Sequence, residues 1–174
     1  SYFINYVIAQ VSEKYVDDAI YKDGLKFYTT LDMDAQNAAV AAMQNLPNYY
    51  TDKNGLHQPQ GAIIAMNPHN GYIVAMVGGR GDDSFNRATQ AERQPGSAMK
   101  PFVYLAAIQS GKTPGSIIDD SPVDFNGWRP QNYERNFEGN INYRYALQHS
   151  SNVPAVTIAD EVGMSRIIAL AQKM

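Results

Sequence analysis

The chain has 174 residues, of which 44% are hydrophobic and 18% are charged, and its formal net charge is -3. This balance is typical of a globular protein of one domain, or of one small domain with part of another, and no polybasic segment points to nucleic acid. The lack of cysteine excludes disulfides and thiolate metal sites, and no apolar run is long enough to cross a membrane. The chain begins at Ser1 without a methionine, which suggests a segment of something longer.

The first sixty residues predict two helices and a short strand. Residues 2–20 carry apolar side chains at a helical period, and residues 25–30 are rich in β-formers. The alanine-rich stretch 35–46 is a strong helix candidate. Residues 48–60 are polar and include a glycine and a proline, so we expect a linker and a domain boundary there.

From Gly61 the pattern changes to apolar strands. Residues 61–66 and 72–77 are two apolar runs, and the segment Asn67–Gly71 between them contains an Asn-Gly pair, a strong hairpin signal. Continuous apolar runs of this kind indicate a sheet covered on both faces, so we expect helices to pack on it.

The second half of the chain predicts three helices separated by a long irregular region. The apolar run 102–108 has helix-like spacing, whereas residues 111–142 are rich in loop formers. Two further helices are predicted at 153–161 and 165–173, with Gly163 between them.

One segment carries the strongest chemical signal, Arg93-Gln94-Pro95-Gly96-Ser97-Ala98-Met99-Lys100-Pro101-Phe102. The Pro-Gly pair precedes a helical pattern, so we expect Ser97 at a helix N-terminus. Residues three apart on a helix share a face, so Lys100 is expected to reach the Ser97 hydroxyl. A serine is a weak nucleophile at neutral pH without a base, and a lysine with a lowered pKa can be that base. An ordinary capped helix with a surface lysine is the alternative.

A second chemical candidate is the pair Ser150 and Asn152, just before a predicted helix. From a turn, both side chains could face Ser97. The hydroxyl could relay a proton between Lys100 and a leaving amine, and the amide could bind a substrate carbonyl and hold the lysine in place. Helix capping by the serine and the asparagine is the alternative.

Together these motifs resemble the transpeptidase domain of class A penicillin-binding proteins, the bifunctional peptidoglycan synthases. The matching pattern is Arg-Gln-Pro-Gly-Ser97-x-x-Lys100-Pro-Phe, followed later by Ala-Leu-x-x-Ser150-x-Asn152. Three further segments are similar to the family: Phe85-Asn86-Arg87-Ala88, Trp128-Arg129-Pro130-Gln131-Asn132 and Asn152-Val153-Pro154-Ala155. Met99 stands where relatives often carry phenylalanine, a change that packing should tolerate.

The resemblance implies a fold and a context. The fold is α/β (α+β), that of serine β-lactamases and penicillin-binding transpeptidases, here with the first hairpin and the helical subdomain but without the C-terminal strands. Residues 1–58 resemble the small α/β linker region that follows a glycosyltransferase domain, and 59–174 resemble the N-terminal part of the transpeptidase domain. The parent protein would be anchored in the cytoplasmic membrane, with this domain outside it in the periplasm or at the cell surface.

The resemblance also implies a mechanism. Ser97 would attack the carbonyl between the last two D-alanines of a peptidoglycan stem peptide, with Lys100 as base and Ser150 protonating the departing D-alanine. An amine from a neighbouring stem peptide would then resolve the acyl-enzyme. Asn152 and Trp128 are the expected substrate-binding residues. β-Lactam antibiotics would acylate Ser97 in the same way, and neither a cofactor nor a metal is implied.

One departure from the family pattern concerns a third motif, Lys-Thr-Gly on a strand facing the nucleophile. The only similar segment, Lys112-Thr113-Pro114, precedes Ser150 and has proline in place of glycine, so we reject it. The motif would supply an oxyanion-hole donor and a carboxylate site. We therefore expect a C-terminal fragment of the same domain as a second chain packed on this one, and an inactive chain without it.

Two other functions share the nucleophile. A serine D,D-carboxypeptidase or β-lactamase would pass the acyl group to water, and a β-lactam-binding sensor or scaffold domain would be acylated without turnover. Among the remaining residues, Asp119-Asp120 is interpreted as a solvated turn, and the three histidines lack metal-ligand spacing.

Overall fold

The structure is a computed structural model that describes residues 1–15, 24–81 and 83–174. It mixes helices with three two-stranded antiparallel sheets in these residues. The chain divides into two compact units, Ser1–Arg93 and Gln94–Met174. In the described ranges, no helix combines the length and the apolar character needed to span a membrane.

The first unit contains helices α1 (Tyr2–Ser12), α2 (Met33–Gln44) and α3 (Arg87–Gln90) and strands β1 (Tyr50–Thr51), β2 (His57–Gln58), β3 (Ile63–Met66) and β4 (Ile73–Val77). The helix predicted at 2–20 ends at Ser12, and its last residues lie outside the described ranges. The strand predicted at 25–30 is wrong, because these residues form no regular element. The segment predicted as a linker contains the short hairpin β1–β2.

The hairpin predicted between residues 61 and 77 is confirmed. Strands β3 and β4 pair antiparallel, with Ile63 opposite Val77. At the turn, the Gly71 N–H donates to the Asn67 carbonyl oxygen at 2.8 Å. Gly71 has a φ of 74°, a left-handed conformation that glycine adopts without a Cβ clash.

One face of this hairpin holds the hydrophobic cluster of the first unit. Its members from the two strands and α2 are Ile63, Ala65, Ala75, Val77, Ala39 and Met43. On the opposite face, Ile64 and Met66 of β3 are 42% and 53% exposed. The sheet is therefore covered on one face of β3 rather than on both in the described residues.

The outer edge of β4 is closed by the segment that precedes and begins α2. The bonds are Thr30 Oγ1 to Ile73 O at 2.5 Å, Asp32 N to Val74 O at 2.9 Å, Gln36 Nε2 to Met76 O at 3.1 Å and Met76 N to Gln36 Oε1 at 2.9 Å. Two of the three groups that reach β4 are side chains, so this segment covers the edge without forming a ladder. Of the β-formers at 25–30, Thr30 takes part in this cover, and it does so through its side chain.

The second unit contains a 3₁₀ helix (Gly96–Met99), helices α4 (Lys100–Gln109), α5 (Tyr143–Gln148), α6 (Asn152–Val162) and α7 (Met164–Ala171) and strands β5 (Ile117–Asp120) and β6 (Gly139–Asn142). The helices predicted around 102–108, 153–161 and 165–173 are confirmed. Residues 111–142, predicted to be rich in loops, also contain two strands that were not predicted, since β5 and β6 pair from Ile117 opposite Asn142 to Asp120 opposite Gly139.

Helices α4 to α7 and strand β5 share one hydrophobic core. Its fully or nearly buried members are Val103, Tyr104, Ala106, Ala107, Ile118, Tyr143, Ala146, Ala155, Ile158 and Ile167. Four of these ten are alanines, and small side chains let helices approach closely. The packing brings the first residue of α4, Lys100, beside the first residue of α6, Asn152.

Candidate active site

Ser97 and Lys100 lie on one side of a tight turn that leads into α4. Ser97 is in the 3₁₀ helix, and the Lys100 backbone N–H donates to the Ser97 carbonyl oxygen. Residues three apart in a 3₁₀ helix are nearly eclipsed, which places the two side chains on the same side. Ser97 therefore lies at the N-terminal end of this helical segment, as expected, although Met99 rather than Ser97 occupies the N-cap position of α4.

Ser150 is held in an unusual backbone conformation at the end of α5. Its φ is 54°, and its N–H donates to the Leu147 carbonyl oxygen while the Ser151 N–H donates to Ala146 O. This pattern is a Schellman motif, in which the left-handed position is usually glycine. The helix end thus fixes the direction in which the Ser150 hydroxyl leaves the backbone.

The Lys100 ammonium group meets three acceptors from the α5–α6 junction. It donates to Ser150 Oγ at 2.9 Å, to Asn152 Oδ1 at 2.7 Å and to the Ser150 carbonyl oxygen. Ser150 Oγ in turn lies 3.1 Å from Ser97 Oγ. Among the described residues no hydrogen bond joins Lys100 directly to Ser97, and the Ser150 hydroxyl connects the two.

Lys100 is nearly buried, with 8% of its surface exposed. Burial lowers the pKa of Lys100 from its usual value of 10.5, because the charged form loses its hydration. A neutral amine has two N–H groups and one lone pair. If the N–H groups go to the two acceptors that cannot donate, Ser150 O and Asn152 Oδ1, the lone pair faces the Ser150 hydroxyl.

Asn152 is fixed at both ends of its side-chain amide. Its Oδ1 accepts from Lys100, and its Nδ2 donates to the Gln131 carbonyl oxygen at 2.9 Å. Its backbone N–H donates to Asn132 Oδ1 at 2.8 Å. The structure thus places Asn152 against the lysine, as expected, whereas its contact with a substrate carbonyl stays a prediction.

Trp128 lies on the wall of the same cavity. This cavity is about 950 Å³ in volume and is lined by Ser97, Lys100 and Asn152 together with Phe125 and Trp128. The two aromatic residues face each other across a tight turn, with Phe125 N donating to Trp128 O at 2.8 Å and the rings 6.0 Å apart. Four of the five predicted site residues therefore line one cavity within the second unit, and the fifth, Ser150, is joined to them by its hydrogen bonds with Lys100 and Ser97.

Sequence reasoning missed a buried acidic residue beside this site. Asp120 was expected in a solvated turn with Asp119, but it ends strand β5 and is only 1% exposed. It accepts two hydrogen bonds from the Asn132 side chain, at 2.8 and 2.9 Å. The sequence of β5, Ile-Ile-Asp-Asp, does not alternate in hydrophobicity and gave no signal; the strand itself puts Asp120 on the same face as the buried Ile118.

The histidines lie apart from this network. His149 stacks on Tyr145 with ring centroids 3.9 Å apart and is exposed. In the part of the chain that the structure describes, no three histidine, aspartate or glutamate side chains are placed to hold a metal ion.

Comparison with known proteins identifies the family to which this site belongs. The family model for the penicillin binding protein transpeptidase domain matches residues 61–174, which include every residue of the site. The chain belongs to this family. The penicillin-binding protein 1A of Rickettsia conorii is 42% identical over 121 residues, which is 65% of this chain and 15% of that protein. That of Clostridium botulinum is 34% identical over 180 residues, or 92% of this chain and 21% of that protein.

Solved structures of penicillin-binding proteins share the fold. The penicillin-binding protein PonA1 from Mycobacterium tuberculosis superposes with a TM-score of 0.77 at 28% identity, over 94% of this chain and 42% of that chain. Its complex with penicillin V gives a TM-score of 0.76 at 26% identity, over 96% of this chain and 43% of that one.

These comparisons confirm the resemblance to the transpeptidase domain of class A penicillin-binding proteins and the α/β transpeptidase fold. The chain spans between about a seventh and a fifth of the length of these curated relatives. The activity, substrates and partners of the whole protein are therefore matters for proposal.

Proposed function

We propose that this chain carries the nucleophile of a serine D,D-transpeptidase that cross-links peptidoglycan stem peptides, and that β-lactam antibiotics bind to it covalently. The observation that carries the proposal is the line of hydrogen bonds from Lys100 Nζ through Ser150 Oγ to Ser97 Oγ, at 2.9 and 3.1 Å. Family membership supports it, as does the complex of a structural neighbour with penicillin V.

The first step forms an ester on Ser97. Its Oγ attacks the carbonyl carbon of the D-Ala-D-Ala peptide bond while its proton passes to Ser150, whose own proton passes to the neutral Lys100 amine. When the carbon–nitrogen bond breaks, the proton passes from Lys100 through Ser150 to the leaving amine, because Ser97 Oγ is now part of the ester. Each hydroxyl can donate or accept by rotating, so the line serves both directions.

The second step repeats the transfer in reverse. An amine of a neighbouring stem peptide attacks the ester, its proton passes through Ser150 to Lys100, and the Ser97 oxygen leaves with a proton. A β-lactam would complete only the first step, because its leaving group stays tethered beside the ester and blocks the amine. In this reading Asn152 holds the lysine and binds substrate, and Trp128 forms the wall against which the peptide lies.

The proposal extends to the rest of the protein. Residues 1–58 would be the linker after a glycosyltransferase domain, and 59–174 the N-terminal part of the transpeptidase domain. The strand with the Lys-Thr-Gly motif would belong to the remaining part of the transpeptidase domain. The parent would be membrane-anchored, with these residues outside the cytoplasmic membrane.

A fluorescent penicillin tests the proposal on this chain joined to the remainder of its domain. We expect mass spectrometry to locate one adduct on Ser97, and Ser97→Ala to remove it. Ser150→Ala should slow acylation by about 10²- to 10⁴-fold, the usual contribution of acid–base catalysis. The matched control is Ser151→Ala, whose hydroxyl makes no capping bond and should leave the rate unchanged. An unmodified Ser97, or an unchanged rate in Ser150→Ala, would contradict the proposal.

The fate of the adduct separates the related functions. Cross-linked product from stem peptides supports the transpeptidase. Release of the penicilloyl group within seconds indicates a β-lactamase, and release of D-alanine to water without cross-links indicates a carboxypeptidase. A stable adduct with no turnover of any stem peptide indicates a sensor or scaffold domain.

A further inference from the structure

Asp120 is a buried carboxylate that the proposed reaction does not use. It is 1% exposed and accepts from Asn132 Nδ2 through both oxygens, at 2.8 and 2.9 Å, and from the Glu138 N–H at 3.3 Å. Within the described ranges, no basic side chain lies at ion-pair distance from it. A buried carboxylate with only neutral partners is costly, so packing alone does not account for an acid at this position.

The carboxylate and a backbone carbonyl together determine which way the Asn132 amide points. Both only accept hydrogen bonds, so Asp120 and the Asn136 carbonyl oxygen, which accepts at 3.0 Å, select the Nδ2 end of Asn132 and turn Oδ1 to the other side. There Oδ1 accepts from the backbone N–H groups of Asn152 at 2.8 Å and of Val153 at 3.2 Å. These are the first two N–H groups of α6, which have no partner inside their own helix.

Asn132 thus caps the N-terminus of α6, although it lies in a loop twenty residues earlier in the chain. Ser151 occupies the N-cap position of α6, yet its side chain makes no capping bond. The neighbour of Asn132, Gln131, accepts from Asn152 Nδ2 at 2.9 Å through its carbonyl oxygen. Two consecutive residues of one loop therefore fix both the backbone and the side chain of Asn152.

We propose that Asp120 and Asn132 are positioning residues that orient Asn152 and, through it, Lys100. With the Nδ2 end of Asn152 held by Gln131, its Oδ1 faces Lys100 Nζ at 2.7 Å. Asp120 makes no hydrogen bond to Lys100 or to Asn152 among those of the described residues, so we assign its effect on Asn152 to the bonds with Asn132. The consequence for catalysis rests on the proposed function, whereas the clamp on α6 does not.

Amide hydrogen exchange tests the clamp in the chain as it stands. In Asn132→Ala, the Asn152 and Val153 amides should exchange about tenfold faster, the typical loss for a removed cap. The matched control is Asp119→Asn, on the same strand but exposed, which should leave both amides unchanged. Unchanged exchange at both amides in Asn132→Ala would overturn the clamp.

Acylation by the fluorescent penicillin tests the link to catalysis, with the complete domain. A purely structural defect lowers the labelled fraction, whereas a misplaced Lys100 lowers the acylation rate of every folded molecule. For Asn132→Ala and Asp120→Asn we expect a rate about 10²-fold lower at saturating penicillin, with little change in penicillin affinity. A reduced labelled fraction at the wild-type rate would overturn the positioning role. If wild-type Ser97 is not labelled, the proposed function fails, and the exchange result still decides the clamp.

A double variant in which residues 120 and 132 are exchanged tests whether the positioning role can be restored. In Asp120→Asn combined with Asn132→Asp, the new amide at 120 can donate to the new carboxylate at 132, which still accepts from the two α6 N–H groups. We expect the double variant to recover slow exchange at Asn152 and Val153 and most of the acylation rate. A double variant as slow in acylation as Asn132→Ala, although its amides are protected again, would overturn the positioning role.

Discussion

Ser150 combines a reactive hydroxyl with a backbone conformation that serine seldom adopts. A non-glycine residue in the left-handed region costs roughly 1–2 kcal/mol, and Ser150 has a φ of 54°. The Schellman hydrogen bonds at the end of α5 offset this cost, because they hold Ser150 in the left-handed conformation. Strain at such a position is expected where function sets the side chain.

Replacing Ser150 by glycine separates the two properties. Glycine relieves the strain, so Ser150→Gly should raise the free energy of unfolding by about 1 kcal/mol, as measured by urea denaturation. The same variant should lose acylation as severely as Ser150→Ala, because both lack the hydroxyl between Lys100 and Ser97. A loss of stability in the glycine variant would show that the hydroxyl contributes more to the fold than the backbone strain removes.

The buried Lys100 makes stability depend on pH in a defined direction. Because burial lowers its pKa, the folded chain binds this proton less tightly than the unfolded chain. The folded state carries the full cost of the buried cation below the lowered pKa. The cost disappears as the pH rises from there to 10.5, the usual value for lysine.

The Lys100→Met variant tests the predicted direction of this pH dependence of stability. The free energy of unfolding of the variant, minus that of the wild type, should fall as the pH rises through this window, by about 1.4 kcal/mol for each unit by which the pKa is lowered. Urea denaturation at several pH values measures the difference. Acylation by the wild type should rise as the pH passes through the lowered pKa of the folded state and should level off above it, since the neutral amine is the base. A pH-independent difference would mean that Lys100 keeps an ordinary pKa.

At the scale of elements, the β3–β4 hairpin has two unlike faces. Ile63 packs on the cluster shared with α2, whereas its neighbour Ile64 points the other way and is 42% exposed. Exposed apolar side chains on a strand are a known aggregation risk.

Alanine at each of these two positions should therefore have different effects. Ile63→Ala should lower the free energy of unfolding by about 2 kcal/mol, the low end for a core isoleucine because the side chain is only half-buried. Ile64→Ala should change it by no more than about 0.5 kcal/mol and should reduce binding of a hydrophobic dye. Urea denaturation and dye fluorescence measure both. Equal destabilisation would mean that the outer face is covered in solution.

The sequence predicted long elements better than short ones. Helices α2, α4, α6 and α7 have apolar periods long enough to recognise, whereas β5 and β6 are four residues each and show too little alternation to stand out. The missing strand at 25–30 has the opposite cause. Its composition favours β-structure. In the fold, however, Thr30 and Asp32 contact β4 and cover its outer edge without forming a strand.

At the scale of the whole chain, motifs identified the candidate site but not its connections. Ser97, Lys100, Ser150 and Asn152 were recognisable because each motif is local. The position of Ser150 between Lys100 and Ser97 was not, since Ser150 lies fifty residues from Lys100 and reaches it only through the packing of α4 against the α5–α6 junction. The contacts of Asn132 with Asp120 and with Asn152 were not predictable for the same reason, because they join residues 12 and 20 positions apart.

Because the outer edge of β4 is covered, the β3–β4 sheet can be extended by further strands on one side only. Thr30, Asp32 and Gln36 occupy the hydrogen-bonding groups that a newcomer would need on that side. In the described ranges β3 is paired along one edge only. Any additional strand, whether from further along the same polypeptide or from another molecule in a fibril, must therefore join at β3, where Ile64 and Met66 would meet it.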